Sequence, residues 1–395
     1  VVFPGYEWSA TTPAGGDHNV YYLEDGEPIH RTSHWQIADR SDAASDRHPI
    51  GELYRQLRGR QAMVIPHIGG RPANLAFHDP ELEPAIEIYS AWGQFEWFLR
   101  EALERGLKVG FVAGSDDHKG RPGASYPGSS AFGVYGGLTC VLAAELTRQG
   151  IWEALRARRC YATTGQRLLL DVRAGGPRGP AAHWVGEELE AAGPVRLAVR
   201  AVGLADIEEV LVMRGLDCAY RYPEIMPCDR SRVRVVWSGA RLRGRDRIAC
   251  WDGHLELSEG RIAAVAPYAF DSAAECICEH TARRVAWRSV TSGDEDGVIL
   301  TLEAAPSACL RFRSAIACFD LALTSLDEGP RVVPAGGVDL QVRVEYLPLG
   351  VQGRSCAFQF TDPEPPVGCT PYYVRLTQVD GARAWTSPFY IHRRP

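Results

Sequence analysis

Val109-Gly110-Phe111-Val112-Ala113-Gly114-Ser115-Asp116-Asp117-His118 passes from an apolar run into a short polar segment that sets a carboxylate and an imidazole two residues apart. The apolar run reads as a buried strand, and the polar residues as the turn that leaves its C-terminal end. In an extended segment, side chains at i and i+2 point the same way. Asp116 and His118 are therefore able to address one cation while Asp117 faces elsewhere.

Working outward, similar chemistry recurs on earlier apolar runs. Val1-Val2-Phe3 leads to Gly5-Tyr6-Glu7, Ala62 to Ile65 leads to Pro66-His67, and the run Ala85 to Tyr89 contains Glu87. Helical spacing appears between these runs, at about Gly51 to Arg58, Phe95 to Arg105 and Arg148 to Arg159. Strands alternating with helices predict repeated β/α units on a mostly parallel sheet over residues 1–165, whose C-terminal strand ends are where such folds place ligands. After Gly165 the pattern becomes period-two alternation, as in Val195-Arg196-Leu197-Ala198-Val199-Arg200 and Leu340-Gln341-Val342-Arg343-Val344. This predicts a β-rich, sandwich-like domain over residues 166–395.

Composition narrows the partners. The 395 residues are 45% hydrophobic and carry a formal net charge of −6. Without a block of lysine or arginine such a chain is not expected to bind nucleic acid, because phosphate neutralisation needs clustered positive charge. No apolar run reaches the ~18 residues needed to span a bilayer as a helix, so a small-molecule substrate is the expected partner, with no membrane. Eleven scattered cysteines without a CxxC pair suit a reducing, cytoplasmic setting. Cys276 and Cys278 read as two small buried side chains on one strand face, with a metal or redox pair as the alternative.

Glu7, His18, His67, Asp116 and His118 form the candidate constellation, with His18 in the glycine-rich segment Gly15-Gly16-Asp17-His18-Asn19. Mixed nitrogen and oxygen donors suit zinc, manganese or iron. Taken singly, His18 and His67 also fit hydrogen-bonded structural roles. Glu87 fits a ligand, a neighbour of a ligand or a buried ion pair. Asp17 reads as a turn residue, and His30, His34 and His48 as members of a solvated loop. Lys119 and Arg121 follow the Asp-x-His pair, where either a substrate anion or solvent would meet them. No Gly-x-Ser-x-Gly elbow is present, and Gly128-Ser129-Ser130 lacks the strand-turn-helix setting that a serine nucleophile needs.

Together with Arg159-Cys160-Tyr161-Ala162-Thr163-Thr164-Gly165, these motifs resemble, in kind and order, the later motifs of the PHP superfamily, named for polymerase and histidinol phosphatase. The nearest branch is the carbaryl-hydrolase-like group of metallohydrolases with a C-terminal β domain, or its sister family of unassigned function. The resemblance implies a distorted (β/α)7 barrel holding two or three divalent ions (Zn, Mn or Fe). In it Glu7 matches the bridging glutamate, His18 and His67 the middle histidines, and Asp116 and His118 the final pair. The superfamily's opening His-x-His motif is absent, so the expected barrel is incomplete at its N-terminal side.

The expected activity is metal-dependent hydrolysis of a phosphoester, with a metal-bridging hydroxide as nucleophile and Asp116, His118 and Arg121 at the reacting centre. A carbamate or carboxylic ester is the alternative substrate. A different class of reading is a non-catalytic carbohydrate-binding β module, with Trp184, Trp237, Trp251, Trp287 and Trp385 as candidate stacking platforms.

Overall fold

The computed structural model describes residues 1–32, 38, 41, 43–116, 118–120, 134, 136–175 and 182–394. The first part contains β1 (Gly5–Ser9), β2 (Asp17–Tyr22), α1 (Ile50–Leu57), β3 (Ala62–Pro66), β4 (Ala85–Ser90), β5 (Gly93–Gln94), α2 (Glu96–Glu104), β6 (Gly110–Ala113), β7 (Leu138–Val141), α3 (Arg148–Arg156) and β8 (Cys160–Thr163). The helices stand where helical spacing places them. On α1, Ile50, Leu53, Tyr54 and Leu57 fall at i, i+3, i+4 and i+7, and all four are buried.

The architecture corrects the expected (β/α)7 barrel. The chain is mostly β, with 48% strand against 11% helix. β1, β2 and β3 form an antiparallel sheet. The reason is the link between β1 and β2, residues 10–16, which holds only the 3-10 turn Thr12–Ala14. A parallel return needs a crossover of about a dozen residues or more, so the short link forces a hairpin. Parallel pairing among the described strands of this part is confined to β4 and β6, the pair bridged by α2. β7 and β8 are joined through α3 and yet pair antiparallel.

Beyond Gly165 the alternating segments are strands of further sheets. The strand Cys228–Ala240 lies at the centre of a five-stranded sheet, and Gly253–Leu257 at the centre of another. Between them Trp237, Trp251, Trp287 and Phe312 form a common core, with the Trp237 and Trp287 rings stacked at 4.4 Å. The two parts of the chain share a sheet: β8 pairs with β7 on one side and with Arg383–Thr386 on the other. Trp385 and Tyr373 pack in one core with Phe98 of α2 and Phe111 of β6. Among the described residues no helix is long and apolar enough to cross a membrane.

Candidate functional site

Register decides which side chains meet. Across the β1/β2/β3 sheet Glu7 lies opposite Asn19, and Trp8 opposite His18, which itself lies opposite Pro66. Residues directly opposite one another share a face, so Glu7 and His18 point to opposite faces. Two separate clusters result.

The first cluster surrounds His67. Its Nε2 is 3.6 Å from Glu7 Oε1, and its Nδ1 is 3.7 Å from Asp116 Oδ2. Both separations exceed hydrogen-bond range, and both ring nitrogens are buried without a hydrogen-bond partner. Glu87, from the middle of β4, contributes a third buried atom of this kind, Oε1. The electrostatics follow from crowding. Burial opposes charge on His67, but Glu7, Glu87 and Asp116 raise its imidazole to about 9. The nearby His67 imidazole, against the opposing effect of burial, draws Glu7 down to about 2. Burial pushes Glu87 up to about 7, and it also raises Asp116.

Backbone geometry brings the last pieces in. Gly114 N donates to Tyr89 O, and Ser115 O accepts from Ala91 N, which fixes the exit of β6. Asp116 and His118 then adopt positive φ, 41° and 55°, a region that non-glycine residues rarely occupy and that tends to be retained at functional sites. His118 Nδ1 lies 2.9 Å from Asp116 O and 3.3 Å from Asp116 Oδ1. Gly114 is required by close approach, since a Cβ there would fall 2.4 Å from Glu87 Oε2.

His18 belongs to the second cluster, with Trp8 and Tyr54 around its ring. Its Nε2 is 3.4 Å from Glu83 Oε1, while Glu83 also takes the Tyr54 hydroxyl and His78 Nδ1 at 2.8 Å. Burial works against the charge of Glu83, yet His18, His78 and Tyr54 hold the carboxyl at about 2. The structure thus brings together Glu7, His67, Asp116 and His118, and it separates His18 from them. Arg121, Asp117, His34 and the Gly128-Ser129-Ser130 segment lie outside the described residues.

Other polar residues take places the sequence did not indicate. Asp17 is a buried β2 residue that accepts from Arg71 Nε and N, both at 2.8 Å. His30 is buried, with Nδ1 3.0 Å from Ser45 O. Arg247, 180 positions beyond His67, donates to the carbonyls of Ile68 and Gly69 and lies over the Trp92 and Phe95 rings. Burial lowers its guanidinium to about 10, opposed by the charges of Asp17 and Asp116. Arg245 lies against Gly70, where a Cβ would sit 2.6 Å from its Nε. The one sequence signal for this pair is the alternation Arg241, Arg243, Arg245, Arg247.

A cavity of about 540 Å³ opens beside Gly114 and Ser115, with Gly137, Thr139, Gln166 and Arg167 in its walls. A larger one, about 900 Å³, includes none of the motif residues. Its walls carry Glu96, Arg343, Arg375 and Arg383, which pair among themselves and with Glu209, Glu295 and Glu345. Trp237, Trp251, Trp287 and Trp385 are all buried and present no stacking surface.

Whether these donors suit a divalent cation depends on their number and spacing. Among the described residues no group of three or more His, Cys, Asp or Glu side chains is placed so that it could hold a metal ion. The pairs around His67 nevertheless fit in kind: two donors each about 2.1 Å from one ion lie roughly 3–3.5 Å apart, close to the 3.6 and 3.7 Å found here. The partnerless buried nitrogens and Glu87 Oε1 are atoms that such an ion and its surroundings would satisfy.

Residues 128–178 match a family described as a protein of unknown function (DUF3604). That segment includes β7, α3 and β8 and supplies Gly137, Thr139, Gln166 and Arg167 to the 540 Å³ cavity. Uncharacterized proteins of Chlamydia pneumoniae and Chlamydia trachomatis are 32% and 31% identical to the chain over 145 and 149 residues. The matches cover 31% and 32% of this chain, and 23% and 24% of those relatives. The chain thus matches less than a quarter of the length of the curated relatives. No solved structure matches it.

Proposed function

We propose that the chain is a metal-dependent hydrolase acting on a phosphoester, with its centre at His67. The observation that carries this reading is a buried imidazole, flanked on both nitrogens by carboxylates and hydrogen-bonded on neither. Structural histidines normally have a ring nitrogen paired, as His78 Nδ1 is with Glu83 at 2.8 Å and His30 Nδ1 with Ser45 O at 3.0 Å. The motif resemblance through Glu7, His67, Asp116 and His118 points the same way.

Glu7 and His67 Nε2 would hold a divalent cation, with Asp116 on the Nδ1 side orienting the ring and Glu87 behind them. When bound, the ion supplies Lewis acidity toward a phosphoryl oxygen and lowers the pKa of a coordinated water. Other tasks fall to the chain's own groups. Arg247 pins the loop after His67 by its carbonyls, and Trp92 and Phe95 shield that guanidinium from water. Arg245 is exposed at the same loop, where it can meet a substrate anion. His118, tied to the Asp116 carbonyl, is the ionisable group available to protonate a leaving oxygen.

The test is metal content by elemental mass spectrometry after dialysis against trace zinc and manganese, followed by a phosphoester and carboxylic-ester screen. The native chain is expected to retain at least one equivalent, and the His67→Ala, Asp116→Ala double variant to lose it while still melting cooperatively. Equal metal in both proteins would overturn the site. Metal with carboxylic-ester but no phosphoester turnover would move the substrate to the ester class.

A further inference from the structure

The strand Cys276–His280 is an edge strand of its five-stranded sheet, and its pairing contains an irregularity. Cys276 lies opposite Arg288 and Ile277 opposite Trp287, but the next pair is Glu279 with Ala286. Cys278 is therefore the extra residue of a bulge. Ile277 packs on the Trp237/Trp287 core. The cysteines are not the buried pair that the alternation suggests: Cys276 is half-buried and Cys278 is exposed. Their sulfurs are 3.5 Å apart, and Arg288 Nη2 donates to Cys276 Sγ at 3.5 Å.

We propose that Cys276 and Cys278 form a thiol redox site in which Cys276 reacts with a hydroperoxide and Cys278 resolves the product. The geometry supplies each part. A thiolate is the nucleophile in such reactions, and a guanidinium beside a sulfur favours that form. Arg288 lowers the Cys276 thiol below its ordinary value, with Cys278 assisting and Asp252 opposing. The Cys278 thiol is raised, by the partial desolvation its neighbours impose and by Cys276, with Arg288 opposing. The first sulfur is thus prepared for attack, while the second stays protonated until needed.

The chemistry balances in two steps. The Cys276 thiolate attacks one peroxide oxygen, the O–O bond breaks, and the departing oxygen leaves as hydroxide (or alkoxide) and takes a proton. Cys276 is then a sulfenic acid. The Cys278 sulfur attacks the Cys276 sulfur, the S–O bond breaks, and the leaving hydroxide takes the Cys278 proton as water. Two thiols are oxidised to one disulfide while one hydroperoxide is reduced. The sulfurs must close from 3.5 Å to about 2.05 Å, a movement that two adjacent side chains on an exposed bulge can make.

The experiment uses the full chain with one to five equivalents of hydrogen peroxide, followed by peptide mass spectrometry with and without dithiothreitol. A peptide lighter by two hydrogens and containing both cysteines is expected, reversible by dithiothreitol. In Cys278→Ser a dimedone adduct should collect on Cys276, several-fold above that on the exposed Cys218, Cys250 and Cys318. Arg288→Ala should slow disulfide formation about three- to tenfold, with Arg288→Lys recovering part of the rate. All these side chains lie at the surface or edge, and a melting curve for each variant checks folding. Oxidation spread evenly over the exposed cysteines, or an adduct on Cys278 in Cys276→Ser equal to that on Cys276 in Cys278→Ser, would overturn the assignment.

Discussion

Arg234 and His67 each have a side chain only 1% exposed, and their surroundings treat them in opposite ways. Arg234 donates through Nε to Glu345 at 3.0 Å, through Nη1 and Nη2 to Glu208 at 2.5 and 2.7 Å, and through Nη2 again to Glu345 at 2.8 Å. Its guanidinium leaves no nitrogen without a partner. His67 has carboxylates on both sides and hydrogen bonds to neither. Burying charge is tolerable when geometry repays desolvation, so the Arg234 cluster reads as architecture. The incomplete cluster carries a cost that folding alone does not explain, and that cost is what supports the proposed site.

The largest effect is expected from Glu208→Ala, which leaves buried Arg234 Nη1 without its partner and Glu345 as the remaining hydrogen-bonded carboxylate. It should lower stability by about 3–5 kcal/mol in urea unfolding, whereas His67→Ala should cost less than half as much. Equal losses would make His67 structural. Next comes acid. Burial raises Glu295, but Arg383 and Arg343 overcome this and hold it at about 2. Because the folded value lies below the unfolded one, its contribution is fully present above about pH 4.5 and is lost as pH falls toward 2. Glu295→Gln should flatten stability over that window by up to roughly 3 kcal/mol, read as the pH dependence of the urea midpoint.

Gly114→Ala acts on the incomplete cluster around His67 and Glu87. Its Cβ would fall 2.4 Å from Glu87 Oε2, and the expected loss is about 1–3 kcal/mol, with a weakened cation affinity by calorimetric titration. The smallest effect is expected from Arg100→Ala. The Arg100–Asp339 pair links α2 to the second part of the chain, but the two side chains are 38% and 51% exposed. Its loss should change the melting free energy by less than about 1 kcal/mol, and this should shrink further in high salt.

The sequence made some of this legible because the signals were local. Ile50, Leu53, Tyr54 and Leu57 announced α1, and the apolar run to Ala113 announced the strand that ends near Asp116. Pairing direction was not local, since apolar periodicity identifies an element without naming its neighbour. The short link through Thr12–Ala14 held the clue that β1 and β2 fold back on each other. His18 was misplaced for the same reason: its face depends on its register with Trp8 and Pro66. Arg247 offered no local signal at all, because its partners are carbonyls in a loop far upstream.

The strand carrying Gly114 to His118 is finished by the far end of the chain. Val109 N donates to the Tyr390 hydroxyl and Phe111 N to Ser387 Oγ, across separations of 281 and 276 positions. On a ribosome adding about 5–20 residues each second, β6 therefore waits on the order of tens of seconds for these partners. The β1–β2 hairpin needs no such wait, since hairpins close in about 1–10 μs. The nascent protein passes through a prolonged interval with one sheet formed and another lacking its edge, and in that interval chaperone capture competes with misassembly.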